Sequence, residues 1–232
     1  MAHVGWVLWL LILPEECGVR ESLIRRVLVG LLGLALLTVL GACGGEPTDA
    51  NGIVVSKPGN HGFNGVYLDQ PYQLASIALA SDAGHEVDLA KAPGLNLVFF
   101  GYTNCPDVCQ TVMSTIASAL TRLPEADRDL ITVYLVTTDP QRDTPQVLRE
   151  YLDRFNPDFV GLTGPMPDLV AAAKPLGIEI QKGQKLPSGG YDVNHGTHTF
   201  AVHSGQAKLL WTAATSPAEM AEDLKRLVQS DS

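Results

Sequence analysis

Runs of apolar residues alternate with polar turns along most of the chain beyond residue 63. Residues 95–100 read LNLVFF, and residues 130–136 form a second short run rich in β-branched side chains. Such runs are typical of central strands that are buried on both faces of a sheet. Between them, from Val108 to a stop at Pro124, apolar residues recur every three or four positions, which predicts a helix that packs on the sheet.

The rest of the pattern predicts further elements on both sides of this unit. Weak alternation predicts an N-terminal hairpin of residues 72–77 and 86–89 around a turn at residues 82–85. After residue 136 the expected elements are, in chain order, a helix begun by Thr144-Pro145, a strand at 159–162, a helix at 167–174, a strand at 178–180, a hairpin of 197–203 and 208–211, and a closing helix at 217–228. This order predicts an α/β protein with a thioredoxin-like fold, in which helices flank a central mixed sheet, plus the N-terminal hairpin and inserted segments.

The N-terminal part of the chain has the outline of a secretory signal. Arg25 and Arg26 precede an apolar run over residues 27–40, and small residues then lead to Cys43. The run is shorter than the roughly 20 residues that a transmembrane helix needs. Its ending, LGAC, resembles a bacterial lipobox, which predicts cleavage before Cys43 and a lipid anchor on that residue. An uncleaved signal-anchor helix is the alternative.

These features predict three regions with different roles. Residues 1–42 are expected to be a leader and lipoprotein signal peptide, residues 43–62 a flexible tether, and residues 63–232 the folded domain. The mature chain would then be held at the cell membrane with its domain on the extracytoplasmic face. Within the leader, residues 1–20 form an extra apolar stretch ahead of a complete signal, which we interpret as an over-extended gene start that makes Cys17 irrelevant.

The charge of the chain narrows its possible partners. The 232 residues include 16 Lys and Arg against 25 Asp and Glu, a formal net charge of −9. This is the wrong sign for a protein that gathers phosphates along its surface, so a nucleic-acid partner is not expected.

The sharpest chemical signal is the pair Cys105 and Cys109, which lies where a predicted strand runs into a predicted helix. The N-terminus of a helix favours thiolate over thiol. Because the two residues are four apart, their sulfurs are expected on one helix face, where they can form a disulfide or share a soft metal ion. Two thiolates and an imidazole suit Cu(I) or Cu(II), whereas zinc would want a fourth ligand. A purely structural disulfide is the alternative, but it would close too few residues to constrain the unfolded chain much.

Six histidines are candidates for the imidazole. His3, His61 and His85 fall in the leader, the tether and a predicted turn. The other three, His195, His198 and His203, lie in or near the segment NHGTHTF. His195 and His198 are an odd number of residues apart and would point to opposite faces of an extended chain. The pattern alone does not choose between them.

Three segments in order carry a family resemblance: GYTNCPDVC, TDPQRDTP about thirty residues later, and an Asn-His-Gly-Thr ahead of a strand. From about residue 70 to residue 228 the chain resembles the Sco/SenC family of copper-binding proteins. The resemblance implies that Cys105, Cys109 and His195 bind copper. The chain departs from the family pattern at Gln110, often a proline, and at Asn194, often an aspartate. The second departure removes a carboxylate beside His195 and leaves His198 open as a substitute ligand.

The resemblance also implies a function. Members of the family act as copper chaperones that help to assemble the dinuclear copper centre of cytochrome c oxidase outside the cytoplasmic membrane. The expected partners are the copper-bearing oxidase subunit and other copper carriers, and no enzymatic activity is required. The alternative is a thiol-disulfide oxidoreductase that reduces the cysteines of that subunit and needs only Cys105 and Cys109. A peroxidase of the same fold would want a single reactive cysteine with a dedicated Arg and Thr.

The charged segment TDPQRDTP allows a structural interpretation as well. Asp139 would close a strand, Asp143 and Thr144 would begin a helix, and Arg142 would pair with a carboxylate. The loop is expected near the cysteines, where Asp139 would shape the electrostatics without binding metal.

Overall fold

A computed structural model of the chain describes residues 60–106, 108–185, 191–194 and 197–230, with residues 181–185 and 191–194 described through their backbone alone. The described residues belong to one compact unit, Pro58–Ser232. The predicted leader, Cys43, most of the predicted tether and His195 lie outside the described residues.

Eight of the described strands form one mixed sheet. In chain order the strands are β1 (Val66–Gln73), β2 (Ala78–Ser81), β3 (Glu86–Asp88), β4 (Leu95–Gly101), β5 (Ile131–Thr137), β6 (Val160–Thr163), β7 (Gln181–Lys185), β8 (Tyr191–Asn194), β9 (Thr199–His203) and β10 (Gln206–Trp211). The order across the large sheet is β1-β10-β9-β4-β5-β6-β2-β3, while β7 and β8 pair as a separate two-stranded sheet.

The described helices connect or follow these strands. They are α1 (Val108–Leu120), the short α2 (Glu125–Arg128), α3 (Pro145–Leu152), α4 (Met166–Ala173) and α5 (Pro217–Ser230), with a 3-10 turn at Lys174–Leu176. Thr144 caps α3, since its side chain accepts a hydrogen bond from the Val147 amide, and Pro145 follows at the first helical position. None of the helices in the described part of the chain has the length and apolarity needed to cross a bilayer.

The strand β4 lies at the centre of the fold and is buried along its whole length. It runs parallel to β5, and β5 runs parallel to β6, whereas β9 is antiparallel to β4. Leu97 and Phe99 of β4 join a core cluster with α1, α3 and α5, while Val98 and Phe100 join a second cluster on the other face. This two-faced burial explains the uninterrupted apolar run, and it confirms the predicted mixed sheet flanked by helices.

Two predicted strands are wrong in the structure. Residues 74–77 are not a strand: Tyr72 and Gln73 end β1, which pairs with β10, and the hairpin is formed by β2 and β3. The strand predicted at residues 178–180 does not form either, because Gly177 ends the 3-10 turn in a left-handed conformation with φ 69° and β7 begins only at Gln181. The hairpin of β9 and β10 is present, and its turn residues Ser204 and Gly205 both have positive φ, 50° and 74°, as tight hairpins require.

A buried carboxylate fastens the start of the domain to its C-terminal helix. Asp223 of α5 is fully buried and accepts hydrogen bonds from the Gly65 amide at 2.8 Å and from the Trp211 indole N–H at 2.8 Å. It also accepts from the Asn64 amide at 2.8 Å and from the Asn64 side chain at 3.3 Å. Asp223 therefore joins β1, β10 and α5 through one side chain.

Candidate metal centre

The two cysteines lie at the carboxyl end of β4. Gly101 ends the strand opposite Thr137 of β5, and the chain then turns so that the Cys105 amide donates to the Tyr102 carbonyl at 3.3 Å. Cys109 follows in the first turn of α1. The structure thus places the pair between the end of a strand and the start of a helix, as the sequence predicts. This carboxyl edge of parallel strands is where ligands usually bind in an α/β sheet.

The thiols of the pair are adjacent and reduced. Cys109 is completely buried and Cys105 retains 6% of its exposure, and no disulfide joins them. A hydrogen bond links the two side chains, and the backbone of Tyr102 also bonds to Cys109. Two sulfur donors therefore meet in an environment that is largely closed to water, with Cys105 on the more accessible side.

A glycine is required beside the second sulfur. A Cβ atom added to Gly101 would stand 3.1 Å from the Cys109 Sγ and 2.7 Å from Cε1 of the buried Phe99 ring. Real Cβ contacts are essentially never this close to a ring carbon, and the Phe99 ring is completely buried. The end of β4 therefore passes directly against the sulfur of Cys109.

The protonation of Cys109 differs from the expectation for a helix N-terminus. The hydrogen bond to Cys105, and then burial, raise the pKa of the Cys109 thiol far above its usual range, and the backbone of Tyr102 opposes this only in part. The local helix effect that the sequence suggested is thus outweighed by the partner thiol and by desolvation. Both causes favour the thiol form of Cys109 over the thiolate.

The charged segment after β5 folds against the cysteine loop. Asp139 is buried and pairs with Arg142, whose guanidinium lies 5.7 Å from the centre of the Tyr102 ring. Asp143 is also completely buried, and it bonds to Thr103 of the cysteine loop. Burial raises the pKa of the Asp143 carboxyl. The sequence analysis placed Asp143 at a helix start and assigned the electrostatic role near the cysteines to Asp139. It therefore predicted only part of the role of Asp143.

A tyrosine that the sequence did not single out also lies near the thiols. Tyr151 of α3 is buried in the same core cluster as both cysteines. Burial, followed by the charges that Cys109 and Cys105 would carry as thiolates, raises the pKa of its phenol. Within the part of the chain that the structure describes, its hydroxyl has no hydrogen-bond partner. The only signal for Tyr151 in the sequence was its position on the apolar face of the helix that begins in TDPQRDTP.

The described histidines do not complete the site. His203 pairs with Leu95 at the opposite end of β4, four residues or about 13 Å from Phe99 along the strand. His198 contacts Phe200, with ring centres 6.3 Å apart, and Phe200 belongs to the core on the face of the sheet away from the cysteines. His61 and His85 are exposed.

Among the residues whose side chains the structure describes, 60–106, 108–180 and 197–230, no three His, Cys, Asp or Glu side chains are arranged to hold a metal ion. His198, Asp139 and Asp143 therefore do not join Cys105 and Cys109 as a ready third ligand in the structure described. The role of His198 as a substitute ligand stays a prediction.

The backbone brings a different segment to the cysteines. Thr199 pairs with Phe99 in antiparallel register, so the chain enters β9 at the edge where β4 ends and the cysteine loop begins. His198, directly before Thr199, is thus on the side where the chain enters at this edge, whereas His203 ends β9 at the other edge. His195 itself lies outside the described residues.

The comparisons with known proteins give the family and the fold of the chain. The family model SCO1/SenC matches residues 69–229. The chain belongs to the SCO1/SenC family. A curated Sco relative, a SCO2-like protein of Rickettsia prowazekii, is 46% identical over 109 residues, which are 47% of this chain and 52% of the relative. A protein of Stutzerimonas stutzeri with the name "Putative copper-binding protein" is matched over 48% of its length, so the chain spans about half the length of these two relatives.

Solved Sco structures share the fold. Apo Sco1 from Thermus thermophilus is 32% identical with a TM-score of 0.63, over 75% of this chain and all of that one. Copper-bound ScoI from Bradyrhizobium japonicum is 28% identical with a TM-score of 0.59, over 67% of this chain and 99% of that one. At lower identity the fold alone is shared with a SCO1/SenC family lipoprotein of Bacillus anthracis (21%, TM-score 0.57, 69% of this chain and 98% of that one). It is also shared with BsSco, described as having a disulfide switch and as a member of the Sco family of cytochrome c oxidase assembly proteins (19%, TM-score 0.55, 70% of this chain and 98% of that one).

Proposed function

We propose that the chain is a copper chaperone that binds one copper ion through the thiolates of Cys105 and Cys109 and the imidazole of His195. The observation that carries the proposal is the pair of reduced, mutually hydrogen-bonded thiols at the carboxyl edge of β4. Two soft sulfur donors in contact suit copper, and they need little rearrangement to share one ion. The copper-bound Bradyrhizobium japonicum structure, which shares this fold, supports the same assignment of the metal.

His195 is the proposed third ligand for two reasons. The family resemblance assigns this role to the histidine of the Asn-His-Gly-Thr segment, and none of the described histidines forms a three-residue metal group with the cysteines. The register of β9 against β4 also directs the preceding chain to the cysteine edge. Copper would leave by ligand exchange, in which the imidazole departs first and incoming thiolates of the acceptor replace Cys105 and Cys109.

The proposed cellular role is assembly of the dinuclear copper centre of cytochrome c oxidase. We propose that Cys43 carries the lipid that holds the domain at the extracytoplasmic face of the cell membrane, with the copper-bearing oxidase subunit and other copper carriers as partners. Support comes from the family to which the chain belongs, from the lipoprotein described in Bacillus anthracis, and from the role in oxidase assembly described for BsSco. Labelling of the chain by a radioactive fatty acid, and loss of that label in Cys43→Ala, would test the anchor.

The copper proposal is tested by metal analysis of the full-length chain purified in detergent, reduced, loaded with copper and freed of excess metal. The expected result is one copper ion per chain, lost in Cys105→Ala and in Cys109→Ala. Cys43→Ala is the matched control, since this cysteine lies in the predicted anchor and outside the pair, and it should bind copper as the parent does. Undiminished copper in both Cys105→Ala and Cys109→Ala would refute the proposal.

A second candidate function is thiol-disulfide exchange, favoured by the direct contact between the two thiols. Their sulfurs are already hydrogen-bonded, so only a short further approach is needed for an S–S bond. The two functions differ in their need for the imidazole. If His195→Ala abolishes copper binding and oxidase assembly together, the chaperone is supported; if assembly survives in His195→Ala but not in Cys105→Ala, the oxidoreductase is.

A further inference from the structure

One buried carboxylate joins the loop after β5 to the loop that carries Cys105. The Thr103 hydroxyl donates to Asp143 Oδ1 at 2.6 Å, and the Thr103 amide donates to Oδ2 at 3.1 Å. The Thr137 hydroxyl at the end of β5 also donates to Oδ2, at 2.7 Å. Asp143 is fully buried, so each of these bonds is made away from bulk water.

The same loop is tied to the end of β4 by backbone bonds. The Thr138 amide donates to the Gly101 carbonyl at 2.8 Å, and the Asp139 amide donates to the Thr137 hydroxyl at 2.9 Å. Gly101 is the residue that lies against the Cys109 sulfur. Asp143 thus bonds to Thr103, two residues before Cys105. The loop that contains Asp143 is also anchored to the end of β4, which lies against the Cys109 sulfur.

An ionised carboxylate fits these contacts. The Thr103 amide can only donate, the two threonine hydroxyls can donate as well, and the two oxygens of a carboxylate accept from all three. The only cation in the segment, Arg142, pairs with Asp139. Because the buried Asp143 carboxyl group bonds both to Thr137 at the end of β5 and to Thr103, it fixes the cysteine loop against β5.

We propose that Asp143 is the positioning residue of the copper site: through Thr103 it holds the Cys105 thiol at the distance from Cys109 that copper binding requires. Asp143 does not bind the ion, because it forms no three-residue metal group with the cysteines in the part of the chain described. The inference rests on the proposed copper function, and it adds that the two thiols alone do not determine the geometry of the site.

The sharpest test separates Thr103→Val from Thr103→Ser. Valine has nearly the shape of threonine but cannot donate to Asp143, whereas serine retains the hydroxyl. Asp143→Asn is a second variant, and Asp223→Asn is the matched control: it alters an equally buried aspartate that bonds to Asn64, Gly65 and Trp211 and not to the cysteine loop.

Two readouts on the full-length chain in detergent are compared with the parent. The first is the alkylation rate of Cys105 and of Cys109 in the reduced, metal-free protein, resolved by mass spectrometry. The second is copper affinity, measured by competition with a chelator, together with the copper-thiolate absorption spectrum. In Thr103→Val we expect alkylation at least about tenfold faster, since a hydrogen bond to a charged group is lost. Copper affinity should be about 10-fold to 100-fold weaker, as for loss of a group that orients a metal ligand.

Support for the proposal requires that Thr103→Ser match the parent in both readouts, and that Asp223→Asn change global stability while leaving copper affinity and the spectrum unaltered. If Thr103→Val and Asp143→Asn alkylate and bind copper as the parent does, Asp143 has no positioning role. A parent chain that binds no copper at the cysteines would instead overturn the proposed function, and the alkylation rates would still decide whether Asp143 holds the loop.

Discussion

Copper uptake by this chain should release protons, because the environment of Cys109 favours its thiol form in the metal-free protein. The hydrogen bond to Cys105 and burial both raise the pKa of Cys109 far above its usual range. A copper ligand must be a thiolate, so the ion has to displace at least the Cys109 proton. The perturbation that reveals this coupling is a change of pH from 7.5 to 8.5.

The size of the effect follows from the number of protons displaced. In this interval the metal-free chain keeps the Cys109 proton and the copper-bound chain does not, so the apparent affinity for copper must rise with pH. Each proton that binding displaces contributes about a tenfold change in affinity per pH unit. The structure requires at least one proton, and therefore an affinity at least about tenfold higher at pH 8.5. The ordinary histidine pKa of about 6.5 lies below the interval, so the imidazole adds little to the slope.

The assay is a competition titration of the full-length chain, reduced and in detergent, against a copper chelator whose own protonation is known at each pH. A parallel titration in a weak buffer counts released protons directly with an indicator dye. The Cys109→Ser variant is the control, and it should lose both the affinity and the slope. An affinity that does not change between pH 7.5 and 8.5, with no proton released, would show that Cys109 is already ionised or that it does not bind copper.

Three substitutions test other parts of the structure by urea unfolding of the metal-free chain. Gly101→Ala should lower the free energy of unfolding by about 1–3 kcal/mol, because the added methyl group overpacks the core against the Cys109 sulfur. Asp223→Ala should lower it by about 3–5 kcal/mol, since it leaves several buried donors without an acceptor, whereas Ala at the adjacent exposed Glu222 should change it by less than about 0.5 kcal/mol. Tyr151→Phe should raise it by about 1 kcal/mol by removing a buried hydroxyl without a partner in the described part of the chain.

Each of these substitutions has a result that contradicts its reasoning. Unchanged stability in Gly101→Ala would mean that the end of β4 does not press on the sulfur. An equal loss in the Asp223 and Glu222 variants would remove the special role of the buried carboxylate. A destabilised Tyr151→Phe protein would reveal a hydrogen-bond partner for the hydroxyl.

The elements that were predicted well are those whose burial shows directly in the local pattern of apolar residues. The strands at residues 95–101 and 131–137 are continuous runs because both faces of β4 and most of β5 are buried. The edge strand β1 has the opposite character, with mostly exposed or half-buried side chains and an irregular register around Pro71. Edge strands tolerate proline and show weak alternation, and the partner of β1 is more than 130 residues away, so its bounds could not be predicted.

The candidate site likewise has features that the local sequence predicts and features that depend on residues distant in the chain. The sequence predicted that Cys105 and Cys109 lie together, but it placed both on one helix face, whereas Cys105 lies in the loop before α1 and only Cys109 lies on the helix. The role of Asp143 was not predictable, because Thr103 and Asp143 are 40 residues apart and meet only when β4 and β5 pair in parallel. The protonation of Cys109 also depends on its tertiary environment, since the partner thiol and burial outweigh the helix N-terminus.

The most direct test of the account is X-ray absorption at the copper edge of the full-length, reduced chain loaded with one equivalent of copper. The predicted fine structure has two sulfur scatterers and one nitrogen scatterer around the metal. His195→Ala and Cys105→Ala, loaded and freed of excess metal in the same way, should retain no copper at the site and so give no such signal. A copper ion surrounded by nitrogen and oxygen alone in the parent chain would contradict the central claim that Cys105 and Cys109 hold the metal.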